Sequence, residues 1–214
     1  MKKELRLYLI RHGRTLWNDQ GLMQGWGNSA LTEQGIRGAK LTGKALANVP
    51  FIAAYSSCLQ RTIDTANHIL SHRDVPLFQH QGLNEHFFGS WEGVSTETIR
   101  HTEEFQQMLH DPVNYMARTN GGETWEVFTN RVIKAIQDII KIHNEGNILI
   151  VSHGHTVRLL MALFAGSTWQ NHREEGRSVS MLNTAINIVR YVQQDNESEG
   201  QFIIEKINDD EHLK

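Results

Sequence analysis

Two short apolar runs of this chain end in the same way, each at a histidine followed by a glycine. Residues 5–10 lead into the letters RHG at 11–13, and residues 147–151 lead into SHG at 152–154. Short apolar runs of this kind are typical of strands that are buried on both faces of a parallel sheet. Because ligands bind beyond the carboxyl ends of such strands, the pair predicts a site at one rim of the sheet.

Helical and strand patterns alternate along the rest of the chain. Helices are predicted at 32–46, 58–72, 123–143 and 159–164, and further strands at 51–55, 75–78, 185–192 and 202–207. This alternation favours an α/β fold with a mostly parallel central sheet and helices on both faces. We expect one domain over residues 1–214, with a small helical insertion at about 86–120 that covers the site.

The charge balance gives no support for a nucleic-acid or membrane partner. The chain has 21 lysine and arginine residues against 24 aspartate and glutamate residues, a net charge of −3. It therefore has no overall excess of basic residues, which would attract nucleic acid or an acidic membrane. Its one cysteine, Cys58, excludes an internal disulfide and is compatible with a reducing compartment. We therefore expect a cytoplasmic protein whose partner is a small molecule, and a homodimer is left open.

The repeated His-Gly pattern indicates an anion site. Glycine after His12 and His153 lets backbone N–H groups approach an anion closely. Arg11 adds a guanidinium, and two imidazoles with a guanidinium suit a tetrahedral dianion. A single histidine at the end of a strand more often hydrogen-bonds a carbonyl group, but the repetition favours the functional interpretation.

A series of ordered sequence blocks carries a resemblance to a known family. The blocks are LIRHGRTLWN at 9–18, QGWGNSALTEQG at 24–35, YSSCLQRTIDTA at 55–66, LNEHFFGSWEG at 83–93, NGGETWEVFTNRV at 120–132 and LIVSHGHTVR at 149–158. In this order and spacing they resemble the histidine phosphatase superfamily, also called phosphoglycerate mutase-like. The resemblance covers residues from about 5 to 165 and implies the three-layer sandwich fold of that family.

The resemblance also implies catalytic roles for particular residues. His12 matches the histidine that accepts the phosphoryl group, and Glu85 matches the proton donor. Arg11, Arg61 and His153 match the residues that complete the phosphate pocket.

Four further residues are implied to contribute to phosphate or substrate binding. Asn18 and Gly154, the latter through its backbone, match positions that contact the phosphate. Thr15 and Gln24 belong to the loop that follows the nucleophile.

These residue types suit phosphoryl transfer without a metal or a cofactor. Cations beside His12 keep its imidazole neutral, which attack on phosphorus requires. Arg11 and Arg61 also offset the charge on the transferring phosphoryl oxygens, as Mg²⁺ does in kinases, and a protonated His153 would add a third positive charge. We expect Glu85 to gain its proton in the enzyme–substrate complex. The sequence therefore predicts a phosphatase that acts on a small phosphorylated metabolite through a phosphohistidine.

Three other functions stay open. A cofactor-dependent phosphoglycerate mutase is disfavoured by the short insertion at 86–120, because a mutase must exclude water. A zinc hydrolase using His12, His153 and His155 is disfavoured by the neighbouring arginines, which would repel the cation. A phospho-ligand binding protein without activity is disfavoured because His12, Glu85 and His153 are all retained.

The substrate itself is not specified by the sequence. Arg14 and His155 depart from the residues that relatives often carry, so either is a candidate for tuning the preferred charge. Selectivity is expected to depend on the insertion at 86–120 and on the loop at 166–177. His110 is interpreted as a surface or structural residue.

Overall fold

The computed structural model describes residues 2–214, in which six strands form one sheet. The strands are β1 Lys3–Arg11, β2 Phe51–Ser56, β3 Leu77–Gln79, β4 Glu145–Ser152, β5 Ile186–Gln193 and β6 Gln201–Asp209. They lie in the order β3-β2-β4-β1-β5-β6. The first four of that order run parallel, whereas at one edge β5 pairs antiparallel with β1 and β6 pairs antiparallel with β5. The predicted α/β fold with a mostly parallel sheet is confirmed.

Seven α-helices connect and cover these strands. They are α1 Leu16–Gln20, α2 Glu33–Ala45, α3 Gln60–Leu70, α4 Thr96–Ile99, α5 Glu103–His110, α6 Trp125–Ile142 and α7 Gly154–Phe164. Short 3-10 helices lie at Gln81–Leu83, Gly89–Trp91 and Glu211–Leu213. Among residues 2–214, no helix is both long enough and apolar enough to cross a membrane.

The predicted helices are present, with two differences from the expectation. Helix α1 lies in a polar stretch without a helical apolar period, and its hydrogen bonds at the N-terminus come from Thr15 and Asn18 instead. Helix α7 begins at Gly154, immediately after β4, rather than at residue 159. This early start brings the backbone N–H groups of its first turn to the rim of the sheet.

Two apolar cores lie on opposite faces of the sheet. Alternate residues of β1 point to opposite faces, so Leu7 packs in one core with Phe128 of α6, and Ile10 packs in the other with Ile69 of α3. All four side chains are at most 2% exposed. The two cores fix the position of the sheet between its helical layers.

The ends of β1 and β4 lie side by side. Arg11 pairs with Ser152 in the parallel register, and the N–H of His12 donates to the carbonyl of Ser152 at 2.9 Å. The two His-Gly pairs therefore meet at one rim of the sheet, as the sequence predicted.

Candidate active site

His12 is buried at the end of β1, and its two ring nitrogens have different partners. Its Nδ1 lies 2.7 Å from the carbonyl oxygen of Gly13, which can only accept, so Nδ1 carries the proton and Nε2 carries the lone pair. Arg61 Nε donates to that Nε2 at 3.3 Å. Burial, followed by the charges of Arg61 and Arg11, lowers the pKa of His12 well below its ordinary value of 6.5. His12 is therefore neutral near pH 7.

Two guanidinium groups stand beside His12 without a carboxylate partner. Arg61, in the first turn of α3, donates to the carbonyl oxygens of Gly25 and Gly27, each at 2.6 Å. Arg11 donates to the carbonyl of Met181 at 2.8 Å. Within residues 2–214 neither arginine has a carboxylate oxygen within 4.0 Å. Backbone carbonyls orient both cations but leave their charge for a ligand.

His153 places a second imidazole against the first. The ring centroids of His12 and His153 are 5.3 Å apart, with an interplanar angle of 63°. His153 Nε2 lies 2.8 Å from the hydroxyl of Ser57. Burial, with the charge of Arg61 second, lowers the pKa of His153 well below 6.5. In the unliganded site His153 is therefore neutral, and the third positive charge that a protonated His153 would add stays a prediction for the complex with substrate.

Glu85 is held by the start of α7. Its Oε2 accepts from the N–H of His155 at 3.0 Å, and its Oε1 accepts from the N–H of Thr156 at 3.1 Å and from that residue's hydroxyl at 3.0 Å. The N–H of His86 also donates to Oε1 at 3.0 Å. Arg131 donates to the backbone carbonyl of Glu85 at 2.7 Å, which anchors the loop itself. These contacts leave the carboxylate little freedom to turn away from the site.

These groups surround a cavity of about 520 Å³, a volume suited to a small metabolite. The predicted site residues that line it are Arg11, His12, Asn18, Gln24, Arg61, Glu85 and Gly154. His153 packs against His12 without lining the cavity. Thr15 also lies outside the lining, and its hydroxyl accepts from the N–H of Asn18 at 3.2 Å to cap α1.

The insertion at 86–120 supplies an apolar part of the lining. Its contributing side chains are Phe88, Phe105, Met108, Leu109 and His110. His110 contributes to the cavity wall while it remains exposed, so its interpretation as a surface residue holds and its place at the cavity is an addition to it.

Two arginines of the cavity wall were not anticipated. Arg158 of α7 and Arg173 in the following loop both line it. The loop at 166–177 was expected to influence selectivity, but a single arginine within it carries no recognisable pattern. Arg14 instead pairs with Asp19 and does not line the cavity.

The geometry does not support a zinc site. Among residues 2–214, no three histidine, cysteine, aspartate or glutamate side chains are grouped so that they could hold a metal ion. His155 does not join His12 and His153 as a ligand set. Its Nδ1 lies 3.3 Å from Nδ1 of His86, and its Nε2 lies 3.2 Å from Arg173.

Comparisons with known proteins agree on one family. A family model described as the histidine phosphatase superfamily (branch 1) matches residues 7–204. The adenosylcobalamin/alpha-ribazole phosphatase of Salmonella typhimurium is 36% identical over 178 residues, covering 80% of this chain and 87% of that protein. The 2,3-bisphosphoglycerate-dependent phosphoglycerate mutase of Cytophaga hutchinsonii is 32% identical over 159 residues, covering 72% and 75%. A solved structure described as Bacillus stearothermophilus YhfR has a TM-score of 0.87 and 32% identity, covering 98% of this chain and 100% of that one.

Proposed function

The chain belongs to the histidine phosphatase superfamily, and we propose that it hydrolyses small phosphomonoesters through a phosphohistidine formed at Nε2 of His12. Its relatives named above are enzymes, and membership of this enzyme family was expected from the sequence blocks. The residue assignments that follow are part of the proposal.

The single observation that carries the proposal is the state of His12. The carbonyl of Gly13 holds the proton on Nδ1, so the lone pair of Nε2 lies next to Arg61. A neutral imidazole with its lone pair directed to a cluster of guanidinium groups is the arrangement that phosphoryl transfer to histidine requires.

In the first step, Nε2 of His12 attacks phosphorus and the bond from phosphorus to the ester oxygen breaks. Arg11 and Arg61 offset the charge spread over the phosphoryl oxygens. Glu85 donates a proton to the leaving alkoxide, so the alcohol departs neutral.

In the second step, a water molecule attacks the phosphohistidine and the phosphorus–nitrogen bond breaks. Glu85, now a carboxylate, accepts a proton from that water. Inorganic phosphate leaves, and both His12 and Glu85 return to the states from which they began. No metal takes part in either step of this scheme.

The test is the variant His12→Ala. Removing the nucleophile is expected to lower kcat for 4-nitrophenyl phosphate by at least about 10⁴-fold. The matched control is His72→Ala, which removes an exposed histidine outside the cavity and should leave kcat unchanged. Undiminished turnover by His12→Ala would refute the assignment.

Two further measurements accompany this variant. Rapid acid-free quenching of the wild-type reaction should trap one phosphoryl group on His12, located by mass spectrometry. Turnover should also survive a strong chelator, and its loss on chelation would exclude the metal-independent scheme.

A phosphoglycerate mutase is the second candidate, because a relative with that name is 32% identical. The two functions differ in whether water reaches the phosphohistidine. We expect phosphate release to outrun isomerisation when 3-phosphoglycerate is supplied with 2,3-bisphosphoglycerate. The same panel should include alpha-ribazole 5′-phosphate, after the name of a solved Escherichia coli structure with 28% identity to this chain. A cytoplasmic location and a homodimer stay predictions.

A further inference from the structure

The cavity carries more positive charge than one phosphate ester requires. The charged side chains of its described lining are four arginines and one carboxylate, namely Arg11, Arg61, Arg158, Arg173 and Glu85. Arg11 and Arg61 nearly balance a phosphomonoester dianion in the proposed mechanism. Arg158 and Arg173 have no part in that mechanism.

These two arginines form a group of their own. Arg61 donates to His12, whereas Arg173 donates to His155 at 3.2 Å. Arg158, which donates to the hydroxyls of Ser178 and Ser180 at 2.8 and 3.1 Å, lines the same cavity as Arg173. We call His155, Arg158 and Arg173 the second subsite, and Arg11, His12, Arg61 and His153 the phosphate subsite.

Arg173 lacks the partner that a shielded cation normally has. Its Nε is shielded from solvent and has no hydrogen-bond partner among the described residues. Within residues 2–214 no carboxylate oxygen lies within 4.0 Å of it, although Arg177 on the same loop pairs with Glu174 at 2.8 Å. Burial, with the charge of Arg158 second, lowers the pKa of Arg173 to about 9, so it remains charged near pH 7. Removing such a cation from water is costly unless an anion compensates.

A chain of hydrogen bonds fixes where this guanidinium lies. The carbonyl of Glu123 lies 2.7 Å from Nε2 of His86 and can only accept, so the lone pair of His86 is on Nδ1. Nδ1 of His155, 3.3 Å away, must then carry a proton, which leaves Nε2 of His155 to accept from Arg173 at 3.2 Å. The guanidinium also lies over the ring of Trp125, 5.4 Å from its centroid. One nitrogen is thus anchored at the wall of the cavity, while Nε has no partner among the described residues.

We propose that Arg173, with Arg158 beside it, binds a second oxyanion of the substrate, either a carboxylate or a second phosphate group. Both groups match the planar donor array of a guanidinium. The inference deepens the proposed function and rests on it for the phosphomonoester that occupies the phosphate subsite. It makes Arg173 a residue that selects substrates with two anionic groups over those with one. His155 is a positioning residue for it.

Binding of non-hydrolysable probes tests the proposal directly. Calorimetry on the whole protein compares propylphosphonate with 3-phosphonopropionate, which adds a carboxylate, and with propane-1,3-bisphosphonate, which adds a second phosphonate. Phosphonoacetate and 4-phosphonobutyrate vary the distance between the two anions. A charge-assisted hydrogen bond predicts that the best doubly anionic probe binds about 10- to 100-fold more tightly than its singly anionic match.

The variant Arg173→Gln should abolish that gain, and Arg177→Gln, which alters an exposed arginine of the same loop, should keep it. Arg173→Lys keeps the charge but not the planar fork, so it should retain part of the gain. If Arg173→Gln fails to fold, Arg173→Lys serves as the test variant in its place. The proposal is overturned if no probe length shows a gain in the wild type, or if the full gain survives in Arg173→Gln.

Turnover supplies an independent comparison. 3-Phosphoglycerate and glycerol 3-phosphate differ by a carboxylate in place of a hydroxymethyl group, so the ratio of their kcat/KM values isolates the second anion. This ratio should fall to about 1 in Arg173→Gln; a ratio that stays at the wild-type value contradicts the proposal. Failure of the proposed function is a different result. In that case His12→Ala would retain turnover, while the calorimetric difference would still report on Arg173.

Discussion

The phosphate subsite and the second subsite differ in what holds their side chains. Arg61 is oriented by two backbone carbonyls, at Gly25 and Gly27, and His12 by a third. Arg173 is oriented by a side chain, His155, which is oriented in turn by another side chain. A group fixed by backbone depends on the fold alone, whereas a group fixed by side chains can change with each substitution around it. The groups proposed for catalysis are thus fixed by the fold itself, whereas the group proposed for substrate selection depends on neighbouring side chains.

After loss of the nucleophile, the largest effect on catalysis should come from Glu85→Gln. A small effect would contradict the view that the chemistry depends on groups held by the backbone. An amide cannot supply the proton, so kcat/KM for an alkyl phosphate should fall by about 10²- to 10⁴-fold. The loss for 4-nitrophenyl phosphate should be much smaller because its leaving group needs no proton. Steady-state kinetics on both substrates measures the difference.

Folding of this variant needs its own control, because Glu85 accepts four hydrogen bonds. Thermal unfolding should show that Glu85→Gln is folded at the assay temperature. An equal loss of kcat/KM on both substrates would mean that Glu85 positions the site rather than donates a proton, because kcat/KM excludes the later hydrolysis of the phosphohistidine, which is common to both substrates.

The next largest effect is expected for Arg61→Met. Losing one donor to the transferring phosphoryl group should lower kcat/KM by about 10²- to 10³-fold. The charge of Arg61 also helps to lower the pKa of His12, so without it the acid limb of the pH–rate profile should move to higher pH. Arg14→Met, at an exposed arginine outside the cavity, is the control. An unchanged acid limb would show that burial alone sets the state of His12.

The same difference explains what the sequence could and could not predict. The strands that end at His12 and His153 are apolar runs with a recognisable end, and their adjacency follows from the parallel sheet. Residues placed by that topology, such as Arg61 and Glu85, could be assigned from ordered sequence blocks. Their assignment as catalytic residues stays a prediction, although four of the five line one cavity and His153 packs against His12.

The second subsite could not be predicted because no local pattern encodes it. Arg173 is one arginine in a polar loop, and only the fold brings it to His155, 18 positions earlier in the chain. His86 is likewise an isolated letter whose tautomer depends on the carbonyl of Glu123. Helix α1 was missed for a different reason, because the local cap of Thr15 and Asn18 stabilises it without an apolar period. Interactions between distant side chains leave no periodic trace in the sequence.

A smaller effect concerns two buried histidines next to the second subsite, His86 and His172. Burial lowers the pKa of His86 to about 3 and that of His172 to about 4, whereas both titrate near 6.5 in the unfolded chain. Below pH 6.5 the unfolded state therefore binds more protons, so stability falls as the pH falls. Each such histidine should contribute about 1 kcal/mol per pH unit to that slope. Chemical unfolding between pH 6 and pH 4 measures it.

The variant His86→Phe isolates one of these histidines. Phenylalanine can keep the stacking of the ring on Phe128, whose centroid lies 4.6 Å away. The free energy of unfolding should then depend less steeply on pH, by about 1 kcal/mol per pH unit, and His72→Ala should leave the dependence unchanged. If the curves of His86→Phe and the wild type were parallel, His86 would be charged in the folded protein. The donor and acceptor assignment that positions Arg173 through His86 and His155 would then be wrong.

The smallest effect is expected in the insertion at 86–120, where Leu109→Ala removes an apolar side chain from the cavity wall. Lost contact with an aryl group should raise KM for an aryl phosphate by about threefold to tenfold and leave kcat unchanged. Val113→Ala, at an exposed position of the same insertion, should change neither constant. If Leu109→Ala lowered kcat instead, the insertion would take part in excluding water during the chemical step. The chemical step would then depend on the insertion as well as on the residues at the strand ends.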